Sequence, residues 1–282
     1  MVLVTLAAVF VALLFLIFRS FEQRRIALLP AIVINYFVAL LCGLVISRPW
    51  AAGDLGPLWM PSFLLSVLFI TVFYLTGSSA QRAGIAATTV ASKMSLVLTV
   101  AFTVVYFGER QGPLGLVGIA LAVAGVVLSS WTKDGRGTGR AWSLPVLLFV
   151  GNAAIDIGLA WTQRERTTAL TEAVLPTMIF GMAGVLGLGW AAARNEHRSF
   201  GDPRTWVAGL LLGAVNYGSL YFMVKALAHS GLPGSSVFPL MNIGVILFGT
   251  LGSAVLFHER PRPLQLAGIG TAIIAMVFIL LA

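Results

Sequence analysis

The chain has 282 residues, 59% of them hydrophobic and only 10% charged, where soluble domains carry about 25% charged residues. So few charges cannot solvate a globule of this size, and about ten apolar stretches of roughly 20 residues, each enough for one bilayer-spanning helix, leave about 80 residues for loops and ends. That remainder excludes an extramembrane domain, and the net charge of +8, scattered over short loops, reads as a membrane-orientation signal instead of a nucleic-acid footprint.

Taken in chain order, the first segment (about 2 to 18) has no basic leader region and no small-residue cleavage site, so it reads as a transmembrane helix. The second (28 to 47) contains Asn35 and the one cysteine, Cys42. A single thiol forms neither an intrachain disulfide nor a Cys-rich metal site, and His197, His229 and His258 lack ligand spacing, so no metal and no cofactor is expected. The third (57 to 80) carries Tyr74 and Ser78, candidates for the substrate or ion pathway, although polar side chains there often serve as contacts between helices.

The fourth segment (85 to 107) holds Thr88, Thr89, Ser92, Ser95 and Lys93. Lys93 lies about 12 to 15 Å from the start of that helix, too deep to snorkel easily. A charge at that depth costs about 2.5 to 3.5 kcal/mol, so it must face protein or water. It either lines a substrate or ion pathway or is a structural lysine paired to carbonyls or a carboxylate. The fifth segment (113 to 131) is rich in small residues, and a linker loop (133 to 142, with Lys133, Arg136 and Arg140) follows it near mid-chain.

In the sixth segment (143 to 163), Asp156 sits about 20 Å from the helix start, with Asn152 one turn before it on the same face. Because the fourth and sixth helices begin on one membrane side, Lys93 and Asp156 lie at similar depths. An ion pair between them is feasible, either as a pathway element or as a fixed bridge. The seventh segment (172 to 193) is apolar. The eighth (205 to 228) carries Asn216, Tyr217, Tyr221 and Lys225; Tyr217 is a candidate for the substrate or ion pathway, although tyrosines near helix ends are commonly belt residues, Asn216 reads equally as substrate contact or interhelical glue, and Lys225 is expected to snorkel to the interface. The ninth (232 to 257) combines Ser235, Ser236, Pro239 and Asn242. A proline there removes one backbone hydrogen bond, which marks a gate or helix bend. The tenth (263 to 281) is again rich in small residues, so the fifth and tenth helices suit tight packing or a homodimer contact.

An internal repeat joins these segments. Phe107 to Ala122 (FGERQGPLGLVGIALA) and Phe257 to Ala272 (FHERPRPLQLAGIGTA) share nine of sixteen residues in register. A weaker match pairs Tyr74 with Tyr221, Gly84 with Gly231 and Met94 with Met241. Repeats five helices apart run in opposite directions across a membrane, the inverted duplication of secondary transporters. The halves are 1 to 132 and 143 to 282, giving an all-α polytopic membrane protein of ten transmembrane helices in two inverted five-helix repeats. Glu109 and Glu259, each beside an arginine and ahead of a helix-starting proline, read as structural loop caps.

At Glu109-Arg110 and Glu259-Arg260, Pro113-Leu114 and Pro263-Leu264, and Gly118-Ile119 and Gly268-Ile269, the chain resembles the EamA-type proteins of the drug/metabolite transporter superfamily. The resemblance spans essentially the whole chain. It implies export of small polar or amphipathic metabolites, amino acids among them, across a bacterial cytoplasmic (inner) membrane. It also implies a central cavity lined by the third, fourth, eighth and ninth helices with the first and sixth, buttressed by the fifth and tenth.

With no phosphate-binding loop, energy would come from the substrate gradient or from protons. The alternative is an intramembrane enzyme or sensor, but an enzyme would want a nucleophile and base on facing helices, and a sensor a soluble output module. Twelve Lys/Arg residues fall in loops after odd-numbered helices and four in loops after even-numbered ones. By the positive-inside rule this bias puts both termini outside, whereas the resemblance implies cytoplasmic termini. The expected partners are a small-molecule substrate, protons and membrane lipid, and no nucleic acid.

Overall fold

The computed structural model describes residues 1–24, 26–82, 92–109, 112–130, 143–194, 200–257 and 263–281. Thr88, Thr89, Glu259 and the linker 133–142 lie outside the described residues, as does the side chain of Ser78. Among the described residues there are ten α-helices and no strand: α1 (Val2–Arg24), α2 (Leu28–Ser47), α3 (Gly56–Arg82), α4 (Leu96–Tyr106), α5 (Pro113–Ser130), α6 (Ser143–Arg166), α7 (Leu175–Ala193), α8 (Pro203–His229), α9 (Gly234–Phe257) and α10 (Pro263–Leu281). A short 3-10 turn, Pro49–Ala51, follows α2.

Six of these are long and apolar enough to cross a membrane: α2 with its 3-10 extension, α3, α6, α7, α8 and α9; α1, α4, α5 and α10 contribute shorter apolar stretches. Large side chains such as Val45, Val105, Val185, Leu251 and Val255 stand exposed. Water penalises such faces and lipid does not. The chain is an all-helical integral membrane protein.

Helix ends follow local chemistry. Several helices open on a proline, whose missing N–H costs nothing in the first turn: Pro113 in α5, Pro203 in α8 and Pro263 in α10. The seventh helix begins at Leu175, later than the apolar run suggests. The reason is a threonine turn ahead of it, in which the Thr168 N–H donates to Thr171 Oγ1 (2.8 Å) and the two hydroxyls bond each other (3.1 Å).

The chain divides into two compact units, each drawing on both halves of the sequence. The first comprises Met1–Thr71 with Trp161–Ala228, the second Val72–Ala160 with His229–Ala282. In the first unit α2 packs closely on α7 and α8. A Cβ at Gly43 would overlap Thr177, and one at Gly213 would lie 2.6 Å from the Asn35 carbonyl oxygen. Helix α1 packs on α8 through Phe10, which covers Gly218 and meets the Phe222 ring at 5.3 Å. Without a hydrophobic drive between helices in lipid, such close approach supplies the packing attraction.

In the second unit α5 and α10 form the most extensive helix pair, and α9 packs on α4, α5 and α10. Gly118 meets Ile279 and Phe278, and Gly125 meets Gly268 and Ala272. Small residues of the fifth and tenth helices are thus occupied with each other inside one chain. A homodimer would have to use their outer faces, where Leu116, Val117, Ile274 and Val277 are exposed.

Candidate functional site

The second unit gathers five of the polar residues singled out in the sequence, on three separate elements. Ser92 and Lys93 lie in the helical turn before α4, Asn152 and Asp156 on α6, and Asn242 on α9. The Lys93 Nζ donates to Asn242 Oδ1 at 3.2 Å. The Asn242 Nδ2 in turn donates to the Phe238 carbonyl at 3.0 Å, which fixes the amide with its oxygen toward the lysine. Asn152 Nδ2 donates to the Leu148 carbonyl at 2.8 Å and reaches Ser92 Oγ at 3.4 Å.

Asp156, one turn beyond Asn152, stands within electrostatic range of Lys93 and beside the Thr99 hydroxyl. One cation, one carboxylate, two oriented amides and hydroxyls from Ser92 and Thr99 therefore share one neighbourhood. All five sequence-derived residues are half-buried. Such a set offers strong donors and strong acceptors side by side.

The ninth helix is held from its first turn. Glu109, in the turn after α4, accepts the Gly234 N–H with Oε1 and the Ser235 N–H with Oε2, both at 2.9 Å. Two of the donors that a helix start leaves without partners are thereby satisfied by one carboxylate, which also complements the helix dipole. Glu109 caps a helix that begins 125 residues further along the chain. Ser235 and Ser236 are buried immediately after the cap, and Pro239 lies inside α9 one turn further on. Tyr74 is half-buried in α3 in the same unit.

Asn216 and Tyr217 belong to the first unit. The Asn216 Nδ2 donates to Asn35 Oδ1 at 3.1 Å with both side chains buried, so this amide serves as glue between α8 and α2. The buried Tyr217 hydroxyl sits beside Thr177 and Ser47, whose own hydroxyls are 2.9 Å apart, and its ring stacks on Tyr221 at 5.7 Å.

Lys225 departs from expectation. It does not simply snorkel: its ammonium is bonded to the Glu172 carboxylate at 2.5 Å, with 4% of the glutamate and 23% of the lysine side chain exposed. Glu172 carries no local signal of this role, because a carboxylate beside a loop ordinarily faces water. Among the described residues, no three His, Cys, Asp or Glu side chains come together as a metal site.

These features define the class: a polytopic, all-helical membrane protein with a compact polar centre among its helices, consistent with a membrane transporter. The chain is 26% identical over 264 residues to an uncharacterized protein of Haemophilus influenzae, covering 88% of this chain and 87% of that one. It is 27% identical over 191 residues to a Lactiplantibacillus plantarum protein whose name assigns it provisionally to sugar uptake, covering 66% of this chain and 64% of that protein. A solved crystal structure superposes with a TM-score of 0.79 at 14% identity, over 99% of this chain and 96% of that one, which shows a shared fold. No family model matches the chain.

Proposed function

We propose that the protein is a secondary active transporter of the EamA type, with ten spans in two inverted repeats, exporting small polar or amphipathic metabolites across a bacterial inner membrane by alternating access. Lys93, Asp156, Asn152, Asn242 and Ser92 form its substrate centre, and it catalyses no covalent chemistry. The observation that carries this reading is the Lys93–Asn242 contact, flanked by Asn152 and Asp156 in the middle of an apolar bundle. Charged and amide groups are costly at membrane depth and are retained where a polar solute or ion passes. The ammonium suits an anionic or carbonyl group of the solute, the carboxylate suits an ammonium or hydroxyl, and the amides bond to either. Lys93 bonds Asn242, and an arriving substrate replaces that bond with its own.

Uptake of a sugar is the second reading, favoured by the name of the Lactiplantibacillus plantarum relative. The same side chains bond vicinal hydroxyls. Purified protein in proteoliposomes, offered amino acids and sugars with and without a pH gradient, separates the two. We expect Lys93→Met and Asp156→Asn to lower transport of the active solute by about ten- to a hundredfold, the cost of leaving a buried charge-assisted contact unmade, while both variants reach the membrane normally. Wild-type rates in both variants would remove Lys93 and Asp156 from the pathway.

A further inference from the structure

Two polar contacts to α9 come from residues at opposite ends of α4. Lys93, just before the helix, reaches Asn242 (3.2 Å); Glu109, just after it, grips the Gly234 and Ser235 N–H groups (2.9 Å each). Asn242 is eight residues, about 12 Å at 1.5 Å per residue, into the helix whose first residue Glu109 holds.

The turn that brings Glu109 round is made by Gly108, in the left-handed region at φ 64°. A Cβ there would meet nothing within 4 Å, so any cost of substituting it comes from the backbone conformation and not from crowding. By contrast the Thr103 methyl group lies 3.2 Å from where a Gly234 Cβ would stand, which seats the start of α9 directly on α4.

We propose that Glu109 is a positioning residue for the substrate centre: through its two-pronged cap it sets the axial register of α9 against α4 and thereby holds Asn242 opposite Lys93. This rests on the reading of Lys93 and Asn242 as part of that centre. A carboxylate suits the task because its two oxygens can take two successive helix N–H groups at once, which fixes both the height and the rotation of the first turn. A single-acceptor side chain would fix the height alone.

The test is a cross-linking series in a Cys42→Ala background, with Lys93→Cys and Asn242→Cys joined by a short bis-methanethiosulfonate. The series compares native Glu109, Glu109→Gln, Glu109→Ala and Gly108→Ala. A second cysteine pair in the first unit, Ser47→Cys with Thr177→Cys, whose native hydroxyls are 2.9 Å apart, reports on the fold. The 93–242 yield is expected to fall in order from Glu to Gln to Ala, by about fivefold at the end, the population change that losing one helix cap brings. Gly108→Ala should lower it similarly, and the 47–177 yield should not change.

An unchanged 93–242 yield across the series would overturn the proposal. So would a parallel fall of both yields, which would make Glu109 a general stabiliser of the protein. No substrate is needed for this readout, so a failed transport assignment and a failed positioning role give different results.

Discussion

Lys225 and Glu172 show what a charge in an apolar bundle needs. Their pair joins α8 to the turn before α7, 53 residues apart in sequence, and the glutamate is almost wholly buried. Removing one partner leaves the other with its desolvation cost and without the compensation the pair supplies, whereas replacing both by apolar groups removes that cost as well. Lys225→Met should therefore destabilise the protein by about 2 kcal/mol, less than the cost of breaking a fully buried pair because the lysine is partly solvated. The double variant Glu172→Leu/Lys225→Met should recover most of the loss. Thermal unfolding in detergent, followed by size-exclusion, measures both; additive losses in the double variant would mean that the two side chains do not act as a pair. The sequence marks Lys93, Asp156, Asn152 and Asn242 as candidates because a polar side chain in the middle of a 20-residue apolar run must face protein or water. It does not mark Glu172, since nothing local distinguishes a loop carboxylate that turns inward from one that faces water.

At the level of the helices, glycines decide which pairs meet. Gly209 and Gly213 lie one turn apart on α8 and let it approach α2 so closely that a Cβ at Gly213 would stand 2.6 Å from the Asn35 carbonyl oxygen and from the Val38 Cβ. A backbone oxygen cannot swing aside as a flexible side chain would, so Gly213→Ala must push the two helices apart and stretch the nearby Asn216–Asn35 bond. We expect a loss of about 1 to 3 kcal/mol, typical of overpacking, read as a lower unfolding temperature of the purified protein. Gly249→Ala serves as the control, because a Cβ at Gly249 meets nothing within 4 Å; equal losses in both variants would refute the argument. The lengths and approximate ends of the helices follow from apolar runs and prolines, which are local signals. The start of α9 is set by Glu109, 125 residues earlier, and the late start of α7 by a hydroxyl pair in the turn before it. Each depends on tertiary contact or side-chain geometry that hydropathy does not register.

For the whole molecule, the two halves of the sequence and the compact units of the fold are different divisions: each unit combines helices from before and after residues 133–142. Neither half can then complete a unit alone, and both must be inserted with compatible orientation before either unit can pack. That makes orientation signals important, and they are one-sided, with twelve cations in the connections and helix ends that follow the odd-numbered apolar segments and four in those that follow the even-numbered ones. Short loops rich in Lys and Arg remain in the cytoplasm. If all ten helices span, the odd-numbered loops are cytoplasmic and both termini face the other side. A phosphatase fused after Ala282, active only outside the cytoplasm, should therefore be active, and a fluorescent protein at the same point should be dark. Neutralising Arg194 and Arg198, after α7, and Arg204, in the first turn of α8, should weaken this preference, because it reduces the bias from twelve against four to nine against four. A bright fluorescent fusion with an inactive phosphatase would place the termini in the cytoplasm, as the resemblance implies, and would mean that the distribution of loop cations does not set the orientation of this chain.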